Sequence, residues 1–475
     1  MSADKIDQRK RRERLVIVGN GMATTRLVEE LVARQYDGDI IVLGDEDHPA
    51  YNRILLSAVL EGTHPIDALT LRQPEWYAGQ GVDLRTGARV LEVERELRDV
   101  MLVDGTKIEF DKLVLATGAI PTLPPIRGLV QLDGSLHPKV HAFRSLADCE
   151  RLIEAVEALP EGSRAVVVGG GLLGLQVARA LSVRGVATEV VEGTEHLLSQ
   201  QVDRRGGTVL KRHLKKLGTE VYTGARAVRL TDEGLKLDNG FSLETDLVVL
   251  TAGGRPSTAL ARRAGLTVRR GVVVGDQLQS IDDDAIFAIG DCAEHDGKVT
   301  GFVPPAWEQA SLLAAHLTGE DVKYAGSRAV ARLRATGLDV AVLGDPEHTE
   351  GDVVEVTNPI VGTHRKLVVD GNIIVAGTLI GDLSRIGLIT QLFDRRTILA
   401  DSEPGELLMA ERLEADSSIL LPDEAEVCAC AGVSAGRIRA CRTFEEAREK
   451  TRATTGCGGC ASVVKELIES AKAPV

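Results

Sequence analysis

Two stretches of this chain repeat one another: Leu15–Thr24 reads LVIVGNGMAT and Ala165–Gly174 reads AVVVGGGLLG. Each is an apolar run entering a glycine-rich turn and then a helical pattern, the strand–turn–helix shape of a dinucleotide-binding fingerprint. Gly19 and Gly169 allow the tight turn. Gly21 and Gly171 lack a Cβ and let backbone N–H groups approach a pyrophosphate at the helix N-terminus, with Met22 and Ala23, and Leu172 and Leu173, as the adjoining contact candidates. Gly174 permits close packing of helix on strand. Thr24 takes that place in the first copy, so its helix is expected to stand slightly further off or to bury the threonine methyl. One such motif can be an ordinary turn, but two copies in the same setting describe a chain built to hold two nucleotides.

At 475 residues the chain is too long for a single core and suggests three or four domains. Hydrophobic residues at 44% and charged residues at 27% describe an ordinary globular composition, and a net charge of −14 argues against a nucleic-acid or anionic-membrane surface. The basic run Lys10–Arg12, with Arg9 and Arg14, reads as a solvated tail, because no apolar signal-peptide core follows it. No segment reaches the roughly 18 apolar residues of a spanning helix. The expectation is a cytoplasmic protein with no membrane and no nucleic-acid partner.

Downstream of the first turn a strand, Ile40–Leu43, ends at Gly44-Asp45-Glu46. An acid there hydrogen-bonds an adenosine ribose; Glu46 is the candidate, with Asp45 close behind and an exposed turn acid as the plain alternative. Lys112–Gly118 (KLVLATG) reads as the strand closing this unit, leaving Thr117 and Gly118 at its exit turn before the stiff Pro121–Pro125 linker. In the second unit Glu192 lies 23 positions past Gly169, with no arginine or lysine following through Gln201. A carboxylate there accepts a bond from a free 2′-hydroxyl and repels a 2′-phosphate, which favours NADH over NADPH. The strand Thr245–Thr251, leading into AGGRP with Gly254, closes the second unit.

The patterns GNGMA, DEDHPAYNRILLS and LVLATGAIPTLPPIRG together resemble the flavoprotein half of the NADH-dependent assimilatory nitrite and nitrate reductases, within the two-dinucleotide flavoprotein superfamily. The resemblance implies that the first fingerprint holds FAD and that Asn52 and Arg53 contact it; a guanidinium near a pyrophosphate makes charge-assisted hydrogen bonds. Where some relatives carry a lysine after the serine, Ala58 follows Ser57 here. DAIFAIGDCAE resembles the superfamily's second FAD motif, which makes Asp291 the ribityl-chain candidate, and GFVPPAWEQA resembles the segment under the flavin's pyrimidine edge, with Ala306 and Trp307. Trp307 reads equally as a core residue.

Seven cysteines in a chain of this length are not a disulfide framework, and four of them, Cys428, Cys430, Cys457 and Cys460, crowd into the tail. A C-x-C followed by a C-x2-C can hold a [2Fe–2S] cluster or tetrahedral zinc. Their spacing and the glycines around Cys457 and Cys460 resemble the bacterioferritin-associated-ferredoxin type of [2Fe–2S] domain, which implies the cluster. Cys441 lies outside the pattern and reads as a buried spare.

The expected fold is α/β: two Rossmann-like, three-layer dinucleotide-binding domains of glutathione-reductase type, an α+β C-terminal interface domain and a small helical [2Fe–2S] domain. The expected boundaries are 1–125 and 253–322 for FAD, 126–252 for NADH, 323–415 for the interface domain and 424–475 for the cluster, with Glu411–Glu426 as a linker. No C-x4-C pair lies near the flavin motifs and no further cysteine array suggests a sirohaem centre, so the chain is expected to pass electrons on. The resemblance implies an NADH-oxidising electron-transfer subunit serving a nitrate reductase catalytic subunit, or a nitrite reductase. The alternatives are a free-standing NADH reductase for ferredoxin or rubredoxin and a regulatory redox sensor.

Overall fold

A computed structural model describes residues 12–328, 330–399, 403–409, 421–428, 431–455 and 460–470. Among them the chain forms two units, neither of which is a continuous stretch. The first takes 12–51, 70–120 and 255–327; the second takes 52–69, 121–254 and the described residues from 328 onward.

The first unit is built on an eight-stranded sheet ordered Ala293–His295, Val272–Val274, Gln279–Ser280, Asp283–Ala288, Lys112–Leu115, Glu13–Val18, Gly38–Leu43, Asp83–Arg85. The last five run parallel, with Leu15 opposite both Ile40 and Lys112. Parallel strands covered on both faces read as unbroken apolar runs, which is why LVIV and IIVL show no alternation. The helices Met22–Ala33 and Val303–Leu317 pack on one another beside this sheet.

The second unit carries a five-stranded parallel sheet ordered Glu220–Thr223, Ala187–Glu192, Arg164–Val168, Leu247–Leu250, Val140–Ala142. The internal repeat extends well past the glycine turns. Each unit runs strand, helix, strand, helix, strand, then a three-stranded antiparallel sheet (Val90–Glu94, Asp99–Leu102, Lys107–Glu109 in one; Ala227–Thr231, Gly234–Leu237, Ser242–Leu243 in the other), then the closing parallel strand.

Two further bodies belong to the second unit. An antiparallel sheet of five strands between Val330 and Ile380 is covered by the helix Ile386–Asp394, whose Ile389 and Phe393 join Leu343, Leu367 and Leu379 in one core. A small module pairs Glu426–Cys428 with Val433–Ser434 and packs three helices, Ala435–Arg439, Phe444–Thr451 and Ala461–Ser470, around Val433, Ile438, Ala447 and Val464. The greater part of the expected linker, and the basic run before Arg12, lie outside the described residues.

The segment Asn52–Leu69 packs in the second unit, within a stretch expected to serve FAD. Its helix Leu56–Glu61 buries Leu56, Val59 and Leu60 against the helices Leu146–Glu157 and Leu172–Val183, and the Leu56 carbonyl accepts the Cys149 thiol proton. The excursion begins and ends at one point, where Tyr51 pairs with Thr70. No helix among the described residues is long and apolar enough to cross a membrane.

Candidate cofactor sites

At the first turn Gly19 adopts φ +111°, and a Cβ there would stand 2.2 Å from the Ala116 carbonyl oxygen. Gly21 caps the helix Met22–Ala33 with no side-chain hydrogen bond, and a Cβ on it would meet nothing within 4 Å. Uncapped helix N–H groups opening on free space fit the pyrophosphate of a dinucleotide. Thr24 is fully buried and its hydroxyl donates to the Gly19 carbonyl at 2.6 Å, so the chain buries the threonine and uses its polar end as well.

Other expected FAD residues gather at this turn. The buried Trp307 donates its indole N–H to the Met22 carbonyl at 3.2 Å. Gly290, at φ +75°, donates its N–H to Gln309 Oε1 at 2.8 Å and packs against Ala23, with Ala306 next to it; half-buried Asp291 follows directly. Glu46 is half-buried and accepts the Tyr51 hydroxyl at 2.7 Å, whereas Asp45 is exposed and faces Arg89 at 3.7 Å. Thr117 donates its hydroxyl to the Ser257 carbonyl at 2.6 Å, and the Gly118 carbonyl accepts the Ser257 N–H at 2.9 Å, which ties the exit turn down. Burial pushes the Cys292 thiol up, and it donates to the Leu115 and Ile289 carbonyls, as a structural cysteine does.

In the second turn Gly169 adopts φ +119° and its Cβ would lie 2.6 Å from the Thr251 carbonyl oxygen; Gly171 again opens on space. A Cβ on Gly174 would come within 1.9 Å of the Gly169 carbonyl oxygen, so only glycine fits that helix position. Leu172 and Leu173 start the helix half-buried, and Gly254 is exposed at the head of the short strand Gly254–Pro256. The Glu192 carboxylate folds back over the turn: Oε2 accepts the Gly170 N–H at 2.6 Å, and Oε1 accepts the Thr194 N–H and hydroxyl, both at 2.8 Å. Sequence reasoning missed Arg226. Its side chain lies across Gly193, the residue after Glu192, with Nε 3.3 Å from where a Cβ at residue 193 would stand.

Asn52 is buried. Its Oδ1 accepts the Ile54 N–H at 3.0 Å and so caps the turn Arg53–Leu55, while its Nδ2 donates to the Thr455 carbonyl in the cysteine module. Arg53 reaches the Arg144 carbonyl at 3.4 Å.

Of the four expected metal ligands, Cys428 and Cys460 are buried together; Cys430 and Cys457 lie outside the described residues. Hydrogen bonding to Cys460, and then burial, hold the Cys428 thiol far above its ordinary range, and the Cys428 carbonyl accepts the Ala431 N–H at 3.1 Å. Two cysteines buried side by side are suited to a shared cation or cluster. Thr454 Oγ1 is buried beside them with no partner among the described residues, at a threonine held at φ +70°. These features fit an iron–sulfur cluster. Cys441 donates to the Arg437 carbonyl and is buried, and Cys149 is pushed up to about 12 by burial.

Residues 13–311 match the family model described as pyridine nucleotide-disulphide oxidoreductase. The chain belongs to that family. Residues 426–470 match a BFD-like [2Fe-2S] binding domain. The protein is an FAD-dependent oxidoreductase of the pyridine nucleotide-disulphide family, carrying a [2Fe–2S] domain near its C-terminal end. It is similar to the nitrite reductase [NAD(P)H] of Bacillus subtilis (strain 168), 35% identical over 478 residues covering 96% of this chain and 58% of the relative. It is also similar to the assimilatory nitrate reductase electron transfer subunit of the same organism, 31% identical over 476 residues covering 96% and 60%. The chain thus spans less than two thirds of these curated relatives. Among solved structures it resembles the covalent putidaredoxin reductase–putidaredoxin complex, at a TM-score of 0.75 and 25% identity, covering 84% of this chain and 96% of that one. The ferredoxin reductase for the CYP199A2 system from Rhodopseudomonas palustris gives a TM-score of 0.71 at 26% identity, covering 78% and 91%.

Proposed function

We propose that this chain is the NADH-oxidising electron-transfer component of an assimilatory nitrate reductase, passing electrons from NADH through FAD and the [2Fe–2S] cluster to a catalytic partner. The observation that carries the reading is the combination of two open glycine turns and a buried cysteine pair in one chain. FAD held at the first turn would supply the conversion between a two-electron hydride donor and a one-electron cluster.

On this reading the residues, Asn52 among the FAD contacts, take the following roles. Gly19, Gly21, Met22 and Ala23 hold the FAD pyrophosphate, Glu46 the adenosine ribose and Asp291 the ribityl chain. Arg53, Thr117, Gly118, Ala306 and Trp307 complete that site. Gly169, Gly171, Leu172, Leu173, Gly174 and Gly254 hold NADH, and Glu192 accepts its 2′-hydroxyl. Cys428, Cys430, Cys457 and Cys460 ligate the cluster. The chain then divides as 1–125 with 253–322 for FAD, 126–252 for NADH, 323–415 as an interface body and 424–475 for the cluster. None of these residues acts as an acid or base; they position, exclude water and set charge.

An anaerobic absorbance titration with NADH, with flavin, iron and zinc quantified on the same sample, tests the path. Bound FAD and two irons per chain, both reduced, are expected; zinc in place of iron overturns it. A nitrite reductase is the second reading for the partner, supported by the 35% identity to that relative. Mixing reduced protein with nitrate and nitrite reductases separates the two: electrons accepted only by nitrite reductase reject the nitrate assignment.

A further inference from the structure

The Asn52 side chain is engaged at both ends. Its oxygen holds the Ile54 N–H of its own turn, and its nitrogen donates to the Thr455 carbonyl, more than four hundred positions along the chain. Asn52 is 2% exposed, and burying an amide in this way is costly unless its hydrogen bonds are made. Thr455 stands two positions before Cys457 in the sequence, and the hydroxyl of the residue before it, Thr454, is buried with no partner among the described residues.

The intervening turn is tightly built. Arg452 and Thr454 both adopt left-handed backbone angles, φ +66° and φ +70°, and Thr454 is β-branched, a residue type that rarely takes them. Such a turn persists only where its surroundings over-determine it. Inside the module the Thr455 hydroxyl donates to the Arg452 carbonyl at 2.8 Å. Outside the module the fixed points are Asn52 and a second contact on the same segment, Arg448 Nη2 to the Ala68 carbonyl at 3.4 Å. One short segment, Asn52–Leu69, thus grips the cysteine module at two places.

We infer that Asn52 is a positioning residue for the iron–sulfur cluster: its amide holds the Thr455 carbonyl, fixes the Thr451–Thr455 turn, and thereby sets where the chain enters the Cys457–Cys460 ligand pair. The module is docked in the resting protein through this latch. The placing of ligands and of nearby hydrogen-bond donors sets a cluster's potential, so a residue that fixes this turn tunes the potential without touching the metal. The inference rests on the cluster reading of Cys428 and Cys460.

Asn52→Asp is the informative variant, because it keeps an oxygen for the Ile54 N–H and replaces the donor facing Thr455 by an acceptor; Asn52→Ala removes both. The cluster is read in full-length protein by mediator titration and by EPR of the dithionite-reduced form, neither of which uses NADH. Hydrogen exchange of residues 444–455 reports the turn. The expected result in both variants is full iron content, a lower midpoint potential, an altered EPR line shape and about tenfold faster exchange across the turn. Flavin is quantified on the same samples. Variants that disturb the flavin but leave cluster potential, EPR signal and exchange as in wild type overturn the latch. Wild-type protein without iron overturns the cluster reading itself, and the latch with it.

Discussion

In the first glycine turn the Gly19 carbonyl accepts a hydrogen bond at 2.6 Å from Thr24, a residue of the following helix. In the second, the corresponding Gly169 carbonyl accepts one at 3.2 Å from Thr251, at the end of the neighbouring strand. The helix position is threonine in one and glycine in the other; the strand-end position is Ala116 in one and Thr251 in the other. A buried carbonyl at such a turn has to be satisfied, and either side of it can supply the hydroxyl. What changes is the helix. With the hydroxyl on the strand, residue 174 is free to be glycine and the helix backbone closes on the turn; with the hydroxyl on the helix, a whole side chain stands between them. Two turns of one pattern thus bring a threonine hydroxyl to the same carbonyl by exchanging which element carries it, Thr251 sharing its proton with the Val168 carbonyl at 3.1 Å.

The largest expected effect is in the closer of the two turns. Gly174→Thr places a side chain where even a Cβ would stand 1.9 Å from the Gly169 carbonyl oxygen. Displacing that helix start should lower kcat/KM for NADH on the order of 100-fold, with FAD content unchanged; a drop of less than twofold, measured with ferricyanide as acceptor, would show the turns to be interchangeable. Next is Glu192→Gln. Losing the charged acceptor should raise the NADH KM about tenfold, and, because Arg226 then flanks the ribose without a competing carboxylate, NADPH should become a better substrate relative to NADH. An unchanged NADPH-to-NADH ratio of kcat/KM places Arg226 outside the site.

Smaller is Thr24→Val, which leaves the Gly19 carbonyl without its hydroxyl partner and should cost about 1–3 kcal/mol by urea unfolding, with weaker FAD retention and little change in NADH KM. The smallest and most pointed is the exchange Thr24→Gly with Ala116→Thr, which rebuilds the second turn's arrangement in the first. It should recover about 0.5–1 kcal/mol relative to Thr24→Gly alone; strict additivity of the two substitutions would mean that the two hydroxyls do not replace one another.

What the sequence revealed and what it hid follow from range. Turns, capping glycines and closing strands are local, so Gly19, Gly169 and the strand ends at Leu43 and Glu192 could be read from a few neighbouring residues. Thr24 was legible as an anomaly, yet its hydrogen bond was not, because the compensating exchange is with Ala116 and Thr251, far away in sequence. Arg226 escaped because the window after Glu192 follows the chain, whereas the arginine comes from the end of the adjacent strand. The Asn52–Thr455 bond escaped for the same reason at much greater separation. The destination of Asn52–Leu69 was hidden too: its apolar helix face says that it must be buried, but not against which unit.

The order of strands in the first sheet also bears on how the protein is made. Lys112–Leu115 lies between Glu13–Val18 and Asp283–Ala288, so one edge of that sheet stays unpaired from the moment residue 115 leaves the ribosome until residue 283 does. At about 5–20 residues per second that interval is roughly 10–30 s, during which the intervening nucleotide domain must be synthesised beside an open apolar strand. An unpaired edge of that kind recruits other strands. The nascent chain is therefore most exposed to mispairing and to chaperone capture between these two points, and ribosome-bound chains halted near residue 200 should hold far more chaperone than chains halted beyond residue 330.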